Sequence, residues 1–152
     1  MKLRWAALAV VLALSALMPS SAEAQSGTQP RGRRSGTLGQ NYPNPFNPHT
    51  YIPFTVGDTT NCNGGQQRHR VTLRIYNLLA QLVAVPVLES AQSGSAAGGQ
   101  PLENLTLGCG QYRAYWNGKY VNSGREAASG VYLYRLEIDG RVEWVGRALV
   151  TK

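Results

Sequence analysis

The sequence predicts an all-β fold, a sandwich of six to seven short antiparallel strands. Three observations lead there. Apolar residues alternate with polar ones in several short runs. Clusters of Gly, Pro, Asn and Asp separate those runs. Past the N-terminus, no stretch has the spacing of an amphipathic helix. The chain has 152 residues, room for one domain with additions.

The first residues read as a targeting segment. Lys2 and Arg4 precede an uncharged apolar run from Trp5 to Met18, then Ala22 and Ala24 supply the small residues of an A-x-A cleavage site. A secretory signal peptide, residues 1–24, is therefore expected, cut after Ala24. The apolar run is too short to span a bilayer, and no later helical segment is expected to span one. No cysteine near the cut suggests a lipoprotein. The chain carries a net charge of +7, and losing Lys2, Arg4 and Glu23 leaves +6. In a secreted chain such a surface meets anionic lipid or polysaccharide more often than nucleic acid. Its plain reading is solubility, because the arginines are spread out apart from Arg31, Arg33 and Arg34.

Gln25–Thr37, QSGTQPRGRRSGT, lacks any large apolar residue and reads as a flexible basic linker. The next stretch, LGQNYPNPFNPHTYIPF, combines Pro43, Pro45, Pro48 and Pro53 with Tyr42, Phe46, Tyr51 and Phe54. Proline cannot donate to a strand ladder, so the stretch should be an edge or a strap. Asn44 and Asn47 precede prolines, which holds them extended. Their side chains can bond nearby backbone. Tyr42 and Phe46 are expected to plug the open end of the sandwich.

Thr50–Val56 is a strand with Ile52, Phe54 and Val56 on one face. Asp58–Gln67 is a loop. Arg70–Tyr76 is a strand with Val71, Leu73 and Ile75 inward, and Asn77–Ala80 is a turn. Leu82–Leu88 reads as a strand covered on both faces, with Pro86 marking an edge or a bulge. Ser93–Gly99 is a loop, and Leu102, Leu105 and Leu107 suggest a short strand. Gln111–Trp116 alternates again. Asn117–Ala128 is turn-rich. Val131–Ile138 and Arg141–Val150 are strands joined by Asp139-Gly140, a two-residue hairpin signal.

The residues that carry chemistry are few. Cys62 and Cys109 are the two cysteines, and in an exported chain an even count fits one disulfide. With His49 and His69 they lack metal-ligand spacing, so no metal and no cofactor are expected. Ser93–Gly99 lacks the lysine of a phosphate loop. Glu137 and Glu143 flank the last hairpin and read as solvent-facing. Asn104-Leu105-Thr106 has the form of a glycosylation sequon. Tyr76, Tyr115, Tyr120 and Trp144 are placed on outer faces. No catalytic constellation emerges, so the chain is expected not to be an enzyme, and no deep polar pocket with converging ionisable groups is expected.

Leu38, Gly39 and Gln40 with Asn41, Tyr42, Pro43, Asn44, Pro45, Phe46, Asn47 and Pro48 together resemble the opening of the type A C-terminal sorting domains of the type IX secretion system. These are related to the immunoglobulin-like domain of flagellar hook-capping proteins. Val71–Val83 is similar to the family's second strand and turn. Trp116-Asn117-Gly118, Gly124 and Ala128–Tyr134 resemble its Trp-Asp-Gly…Gly…Ser-Gly-Val-Tyr run, and Arg147–Lys152 its closing basic-apolar pattern. Asn77 and Asn117 replace aspartates of the pattern, Arg147 a lysine, and Ala80 a glycine. The alanine suggests an altered turn, because positive φ disfavours it.

The resemblance implies an immunoglobulin-like sandwich over residues 38–152. It implies export across the outer membrane, or display at the cell surface, through protein recognition. Two loops are longer than the family's, and the disulfide is expected to staple them. The implied recognition residues are Gly130, Tyr132, Gly140, Arg147 and Lys152, with the last hairpin offering an edge strand. Outer-membrane secretion machinery or an envelope protein is the expected partner, an anionic polysaccharide is a further one, and nucleic acid is not. The expected location is the periplasm in transit, then the outer-membrane surface or the medium. Such domains follow a cargo protein, and here only Gln25–Thr37 precedes. A stand-alone structural or adhesion subunit of the envelope is the alternative.

Overall fold

Side chains along a strand alternate between faces, so Ile52, Phe54 and Val56 should share an interior with Val71, Leu73 and Ile75. They do so in the structure, a computed structural model that describes residues 34–57, 62, 67–89 and 98–152. All six are at most 3% exposed. The expected signal peptide, most of the linker, and much of the loops at 58–67 and 93–99 lie outside the described residues.

The strands are β1 (Gly36–Leu38), β2 (Thr50–Val56), β3 (Arg68–Tyr76), β4 (Leu82–Ala84), β5 (Val87–Leu88), β6 (Leu105–Gly108), β7 (Gly110–Trp116), β8 (Gly130–Ile138) and β9 (Arg141–Val150). The fold is all-β, and every strand pair is antiparallel. One sheet runs β1-β2-β7-β5. The other runs β4-β3-β8-β9, with β6 also beside β3. Both contribute to one core: Ile52 and Phe54 from β2 and Ala114 from β7 meet Leu73, Tyr134, Leu136 and Ile138 from β3 and β8. These residues belong to a compact unit, Arg31–Lys152.

The structure departs from the sequence reading in four places. Gly36 and Thr37, expected in the linker, belong to β1 and pair with Val56 and Thr55. Leu82–Leu88 is not one strand. The chain leaves the second sheet after Ala84 and joins the first at Val87, so Pro86 marks a crossing between sheets. Leu102 is fully buried but lies before β6, its carbonyl taking the N–H of Leu73 at 2.8 Å. Ala80 keeps the turn despite φ of 59°. Asn77 holds that turn: its side-chain oxygen accepts the N–H of Leu79 at 3.0 Å and of Gln81 at 2.9 Å.

Cys62 and Cys109 are disulfide-bonded. Cys62 lies on the connection from β2 to β3, and Cys109 between β6 and β7. Both connections pass from one sheet to the other, so the bond ties two crossings at one end of the molecule. Gly57, with φ of 80°, sits against it, and a Cβ there would strike both sulfurs.

Candidate functional site

The proline-rich stretch is a strap, as its composition requires, and it lies along the outer edge of β9. The N–H of Phe46 donates to the carbonyl of Leu149 at 2.9 Å, and Thr151 returns an N–H to Phe46 at 3.1 Å. The side-chain oxygen of Asn44 accepts the N–H of Leu149 at 2.9 Å. The carbonyl of Arg147 receives side-chain N–H groups from Gln40 at 3.3 Å and Asn44 at 3.4 Å. A backbone edge that a bare strand would leave open is thereby closed from Arg147 to Thr151.

Two anchors fix the strap. Phe46 is 1% exposed and meets Trp116 edge-on, ring centroids 5.1 Å apart. Gly118 makes room beside it: a Cβ there would strike the carbonyl oxygen of Pro48. The second anchor is polar. Asn41 is buried, and its amide donates to the carbonyl of Pro43 at 3.2 Å and the hydroxyl of Thr50 at 3.0 Å. Thr50 in turn donates to Pro43 at 3.0 Å. Tyr42 is not a plug. It is 43% exposed and rests on Tyr51, its hydroxyl taking a guanidinium N–H from Arg113. Prolines at 43, 45 and 48, each after a cis bond, and Asn47 carry the exposed turns between the anchors.

The residues expected to mediate recognition do not form one group. Arg147 is exposed, beside Val131 and Leu149, and with Gln40, Asn44 and Pro45 they line a shallow depression of about 310 Å³. Lys152 reaches Glu126 in an ion pair, which holds the Glu126 carboxyl below its ordinary range. Gly130 starts β8 opposite Val150. Tyr132, in contrast, is 5% exposed and packs edge-on against Trp116, so its ring cannot touch a receptor. Burial and the neighbouring Tyr120 push its hydroxyl up to about 12. Gly140 lies at the far end of β8, roughly 26 Å from Gly130 at 3.3 Å per residue. The last hairpin also offers less edge than expected. The strap occupies its C-terminal half, and Glu143 bulges out of the N-terminal half, where Val142 faces Glu137 and Trp144 faces Leu136. A bulge twists an edge away from further pairing. Glu137 and Glu143 are thus not opposite each other, and Glu137 takes Arg135 at 2.5 Å instead.

A polar depression of about 480 Å³, absent from the sequence reading, opens where β3, β6 and β8 meet. Arg68, Arg70, Thr106, Glu137 and the His69–Asp139 pair line it. His69 Nδ1 lies 2.7 Å from Asp139 Oδ2, and Asp139 Oδ1 accepts the N–H of Arg70 at 2.9 Å. Burial alone would raise the Asp139 carboxyl. The bonds from His69 and Arg70 and the charge of Arg141 outweigh it and hold the carboxyl below its ordinary value. His69 and Asp139 are far apart in sequence, and only the register of β3 with β8 brings them together. Among the described residues, no group of three or more His, Cys, Asp or Glu could hold a metal. No described helix is long and apolar enough to cross a membrane.

No protein-family model matches the chain, and no curated protein does. Among solved structures it is similar to the alkylpurine DNA glycosylase AlkC of Pseudomonas fluorescens bound to DNA containing an abasic site analog. The identity is 12% and the TM-score 0.46; the match covers 78% of this chain and 31% of that one, under a third of its length. That protein is an enzyme held on DNA. Two exclusions drawn from the sequence, of enzymatic activity and of a nucleic-acid partner, are corrected by this finding and do not stand. At that level of similarity the likeness gives this chain neither an activity nor a ligand. The sequence reading expected no deep polar pocket with converging ionisable groups, and the depression beside His69 and Asp139 is an open one at the surface.

Proposed function

We propose that residues 36–152 form an immunoglobulin-like β-sandwich that acts as a sorting module of the type IX secretion kind. Residues 1–24 then serve as the signal peptide and 25–35 as the linker. In this reading the folded domain is the signal. A receptor at the outer membrane reads it by surface recognition and moves it to the cell surface or beyond.

One observation carries the reading. The strap brings Asn44 and Phe46 onto Arg147, Leu149 and Thr151, segments about a hundred residues apart in sequence. The first and last of the family-like segments therefore make one surface. Its chemistry suits selection by a protein: the Arg147 guanidinium stands beside the exposed aliphatic groups of Val131 and Leu149. A charge beside apolar groups rewards an acidic partner and rejects a basic one.

The test is Arg147→Glu in the native host. Its side chain makes no ion pair among the described residues, and the strap bonds use its backbone. The variant should melt like the parent yet fail to arrive at the cell surface or in the medium, accumulating in the periplasm. Parental surface arrival at equal expression would overturn the reading.

A further inference from the structure

The turn between β3 and β4 presents two leucines to water. Leu78 is 70% exposed and Leu79 78%. The turn's geometry does not require leucine there. Its bonds are made by Asn77, Ala80 and Gln81: Ala80 N–H to the Asn77 carbonyl at 3.0 Å, Asn77 N–H to the Gln81 carbonyl at 3.1 Å, and one amide to the other at 2.7 Å. Single exposed apolar residues are common on protein surfaces, but a contiguous cluster marks an interaction site. Two more exposed apolar residues follow, on the strand after the turn and on the loop bonded to it. Leu82 is 41% exposed on β4. The N–H of Val121 donates to the carbonyl of Val83 at 2.7 Å, which sets Val121, 54% exposed, beside that strand.

The loop that brings Val121 also brings charge. Lys119 and Arg125 are exposed and make no ion pair among the described residues. The one carboxylate of that loop, Glu126, is engaged by Lys152 and also feels the charge of Lys119 opposite it, so the loop keeps a surplus of cations. An exposed apolar turn with such a loop bonded to the strand that follows it, in a chain of net charge +7, has the chemistry of an interfacial anchor. The leucines enter the boundary between headgroups and acyl chains, while the cations meet anionic headgroups.

We infer that the Leu78–Leu79 turn, with Leu82 and Val121, is a membrane-docking tip that seats this domain on an anionic phospholipid surface. The inference does not depend on the sorting reading, which uses the strap and β9.

The experiment is cosedimentation of residues 31–152, the compact unit that holds the described core, with phosphatidylglycerol and phosphatidylcholine vesicles. Parent protein is compared with Leu78→Ser/Leu79→Ser. Both leucines lie outside the core, so the variant should keep the parent's melting temperature. The parent should bind phosphatidylglycerol vesicles more tightly than phosphatidylcholine, and the double variant at least tenfold more weakly than the parent. Equal binding of parent and variant would overturn the inference, since charge alone would then explain it. So would no binding of the parent to either vesicle. Concentration-dependent dimers that the double variant abolishes, without lipid binding, would also overturn it and give the tip to a second copy. Lys119→Glu/Arg125→Glu should lose the preference for phosphatidylglycerol; an unchanged preference would overturn the role assigned to the charges.

Discussion

The hydroxyl of Tyr134 receives the backbone N–H of Asn41 at 3.2 Å, across 93 residues of sequence, and donates to the carbonyl of Gly39 at 3.1 Å. Tyr134 is 1% exposed, and burial pushes its hydroxyl above the usual range. Its ring passes over Gly146, its partner on β9, where a Cβ would collide with it. One side chain thus pins the start of the strap to the second sheet.

Tyr134→Phe should therefore destabilise by roughly 1–3 kcal/mol, because it strands a buried N–H and a carbonyl while keeping the ring. Urea unfolding at equilibrium measures this. A loss below about 0.5 kcal/mol would mean that water replaces the hydroxyl.

Three small substitutions separate backbone strain from contact. Gly118→Ala meets both positive φ and the carbonyl of Pro48, whereas Gly124→Ala, at φ of 65°, meets open space. Gly124→Ala should cost about 1–2 kcal/mol, the usual left-handed penalty, and Gly118→Ala clearly more. Ala80→Gly relieves the same penalty and should stabilise by roughly 0.5–1 kcal/mol. Melting temperatures should rise in the order Gly118→Ala, Gly124→Ala, parent, Ala80→Gly.

Asp139→Asn keeps a residue suited to the left-handed turn, where φ is 52°, but removes the charge facing His69. The Asp139 carboxyl is held below its ordinary 3.8, so its contribution is present above that pH and fades as pH falls through the folded value. The variant should be less stable than the parent at pH 7, by under about 1 kcal/mol because the Asp139 side chain is half exposed. The difference should begin to narrow near pH 3.8 and be lost below the lower, folded value. A gap that is constant from pH 7 to pH 2.5 would assign it to something other than this carboxyl.

Strands whose inward residues alternate were legible. Thr50–Val56 has the bounds its pattern implies, and the Asp139-Gly140 turn follows from a two-residue signal. Segments ruled by tertiary partners were not. Gly36-Thr37 carries no strand pattern and becomes a strand because β2 offers an edge. Leu82–Leu88 is apolar throughout, which cannot reveal that the chain changes sheets at Pro86. The strap was legible from proline spacing, but not its place on β9, which depends on pairings a hundred residues away. Tyr132 and Gly140 were grouped with Arg147 by motif; register puts one in the core and the other at the opposite end. The His69–Asp139 depression had no linear signal at all.

The strap has a consequence for biosynthesis. Its bonds join residues 40–46 to residues 147–151, so the strap waits for a segment made about a hundred residues later. Until β9 has left the ribosome, Phe46 has no backbone partner there. The docking of Phe46 on Leu149 therefore comes late in the folding of this domain, and a nascent chain that still lacks β9 leaves that part of the strap without its backbone partners.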